Sequence, residues 1–346
     1  MKAIGYTESL DIQNPNALQD LDLPKPVAQG RDLLIQVKAI AVNPVDTKIR
    51  RRRAGTEDEP VVLGWDAVGE VVAVGEDVTL FEIGDQVYYA GDLNRQGTNA
   101  EFQRVDERIV GHKPKTLSPA EAAALPLTSI TAYEMLFEHL QLQKQTPETK
   151  TTTQEVLLVV GAAGGVGSIL LQLAKALTGA TVIATASRPE SVDWVRQLGA
   201  DYVLDHTQPL AEQMAELTQK EGLGSLTHVA SLNATDAYFD SYIEMLAPFG
   251  RIALIDDPQQ PLNYMAMKPK SLSLHIEFMY ARSMFQAVDM IEQHHLLNHV
   301  AELIDQGYVK TTLGKHLGTI NATNLRAAHA ELEAGSAIGK LVLEGF

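Results

Sequence analysis

Residues 158–177, LVVGAAGGVGSILLQLAKAL, constrain the fold more than any other part of the chain. An apolar run enters a knot of small residues and an apolar-periodic stretch leaves it, the pattern of a buried strand turning into a helix. Ala162, Gly164 and Gly167 take the three small positions of a G-x-G-x-x-G dinucleotide turn, with Gly165 and Val166 filling the gap before the last. The middle glycine lets the backbone approach a pyrophosphate, and the last lets the helix pack close to its strand. The helix start adds N–H donors and the positive end of its dipole. Alanine at the first position means the pattern is met in spacing but not to the letter. A turn that serves packing alone is the competing reading.

What surrounds the turn gives it context. EVLLVV (155–160), TVIATA (181–186), YVLD (202–205), THVASL (227–232), RIALID (251–256) and LSLHIEFM (272–279) read as strands. SILLQLAKAL, SVDWVRQLG (191–199) and AEQMAELTQKEG (211–222) read as helices between the first of them. Strand–helix repeats of this length predict an α/β domain, a doubly wound parallel sheet covered on both faces. The first third differs. DLLIQVKAIAV (32–42), AVGEVVAVG (67–75) and DQVYYAG (85–91), punctuated by Gly64, Gly69, Gly75 and Gly84, predict a compact, mostly antiparallel β domain. Helical periodicity begins at SPAEAAALPLTSITAYEMLFEHL (118–140), with Ser118 as N-cap, Pro119 at the first helical position and Glu121 at N3. Pro126 is expected to split this stretch in two, and the domain boundary is placed there. QLQKQTPETKTTTQ (141–154) reads as an exposed loop. Beyond 282 the tail carries helices and ends in a β-like IGKLVLEGF suited to rejoining the first domain.

Charge and composition narrow the partners. A formal net charge of −16 disfavours nucleic acid and anionic membranes, which repel such a surface. Zero cysteines exclude disulfides and remove the thiolate ligands common in structural zinc sites. MKAIGYTESL has no signal-peptide apolar core, and no stretch nears the roughly 20 apolar residues of a membrane span. The expectation is a cytoplasmic protein acting on a small molecule.

The second strand discriminates between nucleotides. An Asp or Glu at its end would bind the ribose 2′-hydroxyl of NAD. TVIATASRPE instead offers Ala186, Ser187 and Arg188, which suit a 2′-phosphate, so NADPH is the expected cofactor.

LVVGAAGGVGS, GADYVLDH, NPVDTKIR and LGWDAVGEVVAVG together resemble the medium-chain dehydrogenase/reductase superfamily, closest to its zinc-free quinone oxidoreductase branch, which includes proteins labelled zinc-type alcohol dehydrogenase-like. The resemblance runs from MKAIGY to IGKLVLEGF. It implies a Rossmann domain (127–281) inserted in a discontinuous GroES-like β-rich domain (1–126 plus 282–346), with the active site in the cleft, and a homodimer with LSLHIEFM near its interface. Where zinc-holding relatives place their first ligand this chain has Asn43, and their His-Glu pair falls on Trp65-Asp66. The four-cysteine lobe is missing too, so the metal expectation is none.

Without a metal, the chemistry left is hydride transfer to acceptors that are already conjugated, quinones or α,β-unsaturated carbonyls. Alignment of donor and acceptor and a hydrogen bond to the developing oxyanion then supply the catalysis. By resemblance Asn43 is the polar group near the nicotinamide, Asp46 orients its loop or caps the following helix, and Tyr6 and Trp65 line the cleft or belong to the core. Thr131, His206, Asn233, Ile255, Asp256, Phe278 and Met279 are the further cofactor positions the resemblance implies. A zinc-dependent alcohol dehydrogenase and a non-catalytic NADPH-binding redox sensor are the alternatives. IRRRRAG (49–55) reads as a solvated helix end, EQHHLLNH (292–299) as surface histidines, and the methionines at 265, 267, 279 and 284 as core or interface packing.

Overall fold

The computed structural model describes Met1–Phe346 and forms two compact units, Met1–Ile130 with Tyr280–Phe346, and Thr131–Met279. No helix is long and apolar enough to cross a membrane.

The first unit opens with β1 (Lys2–Tyr6), β2 (Gln19–Asp22), β3 (Asp32–Val42), α1 (Pro44–Arg52), β4 (Val61–Val62), β5 (Ala67–Val74), β6 (Gln86–Tyr89), β7 (Phe102–Asp106) and β8 (Val110–His112). Short α2 (Pro119–Ala123) follows, with the expected capping box: Ser118 Oγ accepts from Glu121 N at 3.3 Å and Glu121 Oε2 accepts from Ser118 N at 2.9 Å. α3 (Pro126–Glu134) starts at the second proline and runs on into one π-helical turn, Met135–His139.

The second unit is built on β9 (Val156–Val160), α4 (Gly165–Leu177), β10 (Thr181–Thr185), α5 (Pro189–Gln197), β11 (Tyr202–Leu204), α6 (Leu210–Glu221), β12 (Leu226–Ser231), α7 (Thr235–Met245), β13 (Leu246–Leu254) and β14 (Ser273–Ile276). The strands form one parallel sheet in the order β11-β10-β9-β12-β13-β14, so the chain reverses direction across the sheet between β9 and β12. This is the doubly wound order whose reversal point opens a ligand crevice at the carboxyl ends of the strands. All five residues of β9 are buried, as expected of a strand covered on both faces. Val156, Leu158, Val160, Ile183, Val229 and Ile252 form the middle of its core, with Phe239 and Tyr242 of α7 packed against them.

The chain then completes the first unit with α8 (Ala281–Met284), α9 (Glu292–Asp305), β15 (Leu313–His316), α10 (Ala322–Glu333) and β16 (Lys340–Glu344). β16 pairs antiparallel with β3, Leu341 opposite Val42, and closes a seven-stranded sheet ordered β15-β16-β3-β5-β6-β8, with β7 also on β3. β2, β1 and β4 form a second, smaller sheet.

Several sequence expectations change. The final strand of the second unit is only four residues, Ser273–Ile276, and its ladder ends with the bond from the Glu277 N–H to the Leu254 carbonyl. Helix in the tail is broken: α8 is a single turn, and the chain from Phe285 to Ile291 is not helical. The arginine run is not wholly solvated either. Arg50 is 1% exposed, with one guanidinium nitrogen on Glu333 at 2.6 Å and another on the Leu10 carbonyl, whereas Arg51 and Arg52 face solvent. Of the cited methionines, Met267 and Met279 are buried and Met265 is exposed.

Candidate active site

The glycine turn leaves β9 with Gly161 at φ +79°, a left-handed conformation that a side chain disfavours. The tight turn is therefore made one residue before Ala162, the first small position of the spacing pattern. Ala162 is fully buried, and a Cβ on Gly167 would stand 2.4 Å from its carbonyl oxygen, so Gly167 is there for close packing of α4. Gly164 is different. A Cβ there would meet nothing closer than the Gly161 oxygen at 3.5 Å, so protein packing does not demand glycine. Gly164 is the N-cap of α4 and offers no side chain to cap it, leaving the first-turn N–H groups of Gly165, Val166 and Gly167 for an external acceptor. This open cradle fits a pyrophosphate.

The neighbouring strand ends carry the other expected nucleotide residues. Gly161 N donates to Thr185 Oγ1 at 3.2 Å, tying the turn to the end of β10. Beyond β10 come Ser187 and exposed Arg188, the N-cap of α5. Ser187 Oγ lies 3.0 Å from His206 Nε2 beyond β11, and the Tyr238 hydroxyl holds the His206 carbonyl at 3.1 Å. Asn233 follows β12; its Cβ lies 3.3 Å from where a Gly161 Cβ would be. Ile255 follows β13, its N–H donating to the Ser231 carbonyl at 3.3 Å, and half-exposed Phe278 and buried Met279 follow β14. The glycine turn and these residues thus follow the carboxyl ends of the six strands β9 to β14. Thr131 is buried on α3.

Asp256 closes a polar chain behind these strand ends. Its carboxylate accepts from Thr235 N at 2.9 Å, capping α7, and from the Thr235 hydroxyl, which lies 2.8 Å from Ser231 Oγ. Ser231 Oγ in turn lies 2.9 Å from the Tyr242 hydroxyl.

The first unit gathers Asn43, Asp46, Asp66 and Lys340, all buried. Asn43 N donates to Asp46 Oδ2 at 2.6 Å, closing the N-terminal turn of α1. Asn43 Nδ2 donates to Asp66 Oδ2 at 2.8 Å and makes only a long 3.5 Å contact with the Trp65 carbonyl. Lys340 Nζ donates to Asp66 Oδ2 at 2.8 Å and to Asn43 Oδ1. Asp66 Oδ1 accepts from Leu127 N, in the first turn of α3, at 2.7 Å. Burial pushes the Asp46 carboxyl up to about 7, against the Asn43 N–H, the Lys340 charge and the Gly64 N–H. Burial likewise raises Asp66, opposed by Lys340 and by the Leu127 N–H. Trp65 is core, 1% exposed, donating to the Asp92 carbonyl at 3.3 Å with Tyr280 edge-on to its ring. Tyr6 is equally buried, which pushes its hydroxyl up to about 12.

Lys340 is the residue that sequence reasoning missed. Its signal was a lysine entering the apolar run 341–343 of the terminal strand, where burial would call for an acidic partner.

This set does not fit a zinc ion. Zinc takes thiolate, imidazole or carboxylate ligands in tetrahedral array. Here the expected ligand positions hold a carboxamide and a buried indole, and both Asp66 oxygens are already engaged. No group of three or more His, Asp or Glu side chains is placed to hold a metal.

Two family profiles match the chain, the alcohol dehydrogenase GroES-like domain over residues 29–115 and zinc-binding dehydrogenase over residues 165–293. A zinc-type alcohol dehydrogenase-like protein of Staphylococcus aureus (strain COL) is 39% identical over 343 residues, 99% of each chain. Among solved structures, a protein of Rhizobium etli CFN 42 provisionally described as a zinc-dependent alcohol dehydrogenase is 51% identical, with a TM-score of 0.94 over 100% of this chain and 98% of that one. A mycobacterial protein complexed with NADPH is 28% identical, with a TM-score of 0.81 over 99% of this chain and 100% of that one. The quinone oxidoreductase of Pseudomonas syringae pv. Tomato DC3000 is 25% identical, with a TM-score of 0.80 over 99% of both. With one unit assembled from both ends of the sequence and a parallel nucleotide-type sheet from its middle, the chain is an oxidoreductase of the medium-chain dehydrogenase/reductase superfamily.

Proposed function

We propose that this oxidoreductase uses NADPH to reduce quinones or α,β-unsaturated carbonyls, without a catalytic metal. The observation that carries the cofactor choice is the grouping of Ser187, Arg188 and His206 where an acidic ribose-binding residue would otherwise stand. A hydroxyl, a guanidinium and an imidazole suit a 2′-phosphate. The NADPH-bound mycobacterial structure supports the same reading.

NADPH, when bound, supplies the hydride. The chain's own residues do the rest. The first-turn N–H groups of α4 bind the pyrophosphate, and Gly164 leaves them room. Asn233 and the backbone at Ile255 and Phe278 hold the nicotinamide end. Asn43 has one amide hydrogen on Asp66 and a second with only the long contact to Trp65; the second is the one assigned to the substrate oxygen. Asp46 fixes the turn from which Asn43 projects, and Trp65 belongs to the core. Conjugated acceptors suit such a site because their π-system spreads the charge that a metal would otherwise stabilise.

The deciding experiment follows the absorbance of NADPH and NADH in parallel across a panel of quinones, alkenals, enones and simple ketones, with and without a chelator. NADPH oxidation by the conjugated acceptors, indifferent to chelator, is expected. Turnover of simple ketones or alcohols that a chelator abolishes would replace this reading with the zinc-dependent one.

A further inference from the structure

We infer that Asp256 and Asp236 are positioning residues for the nicotinamide half of the nucleotide: each carboxylate holds the other's loop, and together they lock the chain after β12 to the chain after β13. The inference lies within the second unit. It rests on the reading that a nicotinamide nucleotide binds there, but not on the choice between NADPH and NADH.

The argument begins with a helix that does not cap itself. Ala234, the N-cap of α7, has no side-chain acceptor and stands at φ +54°, a left-handed conformation that side chains disfavour. Ser, Thr, Asp or Asn would ordinarily take a first-turn N–H from that position. Here the acceptor comes from 21 residues further along the chain. Asp256 Oδ2 takes the Thr235 N–H at 2.9 Å and Oδ1 takes the Thr235 hydroxyl. The core backs this contact. A hydroxyl has one proton to give, and that of Thr235 is on the carboxylate. Ser231 Oγ, 2.8 Å away, therefore donates to Thr235, and the Tyr242 hydroxyl, 2.9 Å from Ser231 Oγ, donates to Ser231. Three buried hydroxyls thus point in series at Asp256.

A second carboxylate returns the bond. Asp236, in the first turn of α7, accepts on Oδ2 from the N–H groups of Gln259 at 3.0 Å and Gln260 at 3.1 Å. The loop after β13 therefore gives a carboxylate to α7 and receives one from it. Ile255 N, on the Ser231 carbonyl at 3.3 Å, adds a third link. Exposed Asn233 stands between Ser231 and Thr235, both pinned, with its Cβ 3.3 Å from where a Gly161 Cβ would be. The lock thus sets where Asn233 and Ile255 stand, while the phosphate cradle of α4 depends on the separate turn after β9. Both Asp256 oxygens are engaged by Thr235, so this residue acts through the turn and not by touching the nucleotide.

The test measures, on the full chain by calorimetry, the Kd for NADPH and for 2′-phospho-ADP-ribose, the same nucleotide without its nicotinamide. Hydrogen exchange of segment 257–262 is followed in parallel by mass spectrometry. Asp256→Ala is expected to raise the Kd for NADPH about tenfold and to leave that for 2′-phospho-ADP-ribose nearly unchanged. It should also speed exchange at Gln259 and Gln260, whose amides it does not touch. Asp236→Ala should do the same, and the double variant should lose little more than either single one, because both break one lock. Asp256→Asn, which keeps one acceptor oxygen, should fall between Asp256→Ala and wild type. Equal losses for the two ligands, or an unchanged Kd for NADPH, would overturn the inference. If Asp256→Ala does not fold, Asp236→Ala decides by the same measurements. A wild type that binds NADH and not NADPH sinks only the cofactor choice, and NADH with ADP-ribose then replaces the two ligands. A wild type that binds neither nucleotide overturns both readings.

Discussion

Ser187 Oγ and His206 Nε2 lie 3.0 Å apart although 19 residues separate them in sequence, because parallel pairing of β10 with β11 brings the two strand ends side by side. Arg188 follows Ser187 directly and starts α5. If this trio receives a 2′-phosphate, Arg188→Ala removes a charge-assisted contact worth about 1.5–3 kcal/mol. The KM for NADPH should then rise roughly 10- to 150-fold, with NADH little affected. Steady-state kinetics with both nucleotides checks this; equal losses would mean that the guanidinium does not meet that phosphate.

Two glycines of one turn should respond oppositely to the same methyl group. Gly167→Ala drives its Cβ into the Ala162 backbone and should lower stability by about 1–3 kcal/mol, seen as a lower Tm without nucleotide. Gly164→Ala has space and an ordinary φ of −75°, so its Tm should stay near wild type while nucleotide affinity falls. Calorimetry of both variants separates packing from binding.

Asp46 gives stability a particular pH dependence. Its carboxyl is raised from the ordinary 3.8 to about 7, mainly by burial, with Asp66 adding to the shift and Lys340 opposing it. Between those values the folded protein holds a proton that the unfolded chain has released, so this group's contribution to stability declines as pH rises through that window and levels off above it. Asp46→Asn, which is isosteric and uncharged, should gain on the wild type by a few kcal/mol between pH 5 and pH 8. Denaturant melts of both proteins at the two pH values measure it; a constant difference would show that Asp46 does not titrate there.

Arg50 should behave as a core residue despite its place in a run of four arginines. Removing one member of a buried ion pair typically costs about 3–5 kcal/mol. Arg50→Ala should fall at the low end, because Arg51 still reaches Glu333 at 2.9 Å. Arg52→Ala, exposed on the same helix, should change stability by less than about 0.5 kcal/mol. Urea unfolding of the pair tests the contrast.

β14 lies at the edge of its sheet with Ile276 72% exposed, in the segment that the family resemblance puts near a homodimer interface. Ile276→Lys should shift sedimentation at micromolar concentration toward the monomer, since an edge lysine discourages strand pairing. A wild-type protein that sediments only as monomer would remove this expectation.

What could be read from the sequence was local. The buried run of β9, the glycine turn and the Ser118 capping box each depend on residues within a few positions, and the alternation of strands and helices fixed the parallel sheet. Distant partners were not legible. Lys340 lies 297 residues from Asn43, and Arg50 lies 283 from Glu333. A charge in a string of letters looks solvated until the fold supplies its counter-charge, and so Arg50 was read as surface and Lys340 passed over. The helix α10, which brings Glu333 to Arg50, escaped notice as well: it packs against α1, far away in sequence.

The pairing of β16 with β3 also sets an order of events on the ribosome. Every strand of the middle unit has been synthesised before the last strand of the outer one exists. The middle unit can therefore mature while the 39–42 end of β3, beyond the stretch paired with β7, still lacks its partner, and the other unit must wait for its last strand. A nascent chain stalled shortly before residue 340 should protect the middle segment from protease and leave the first segment open to cleavage.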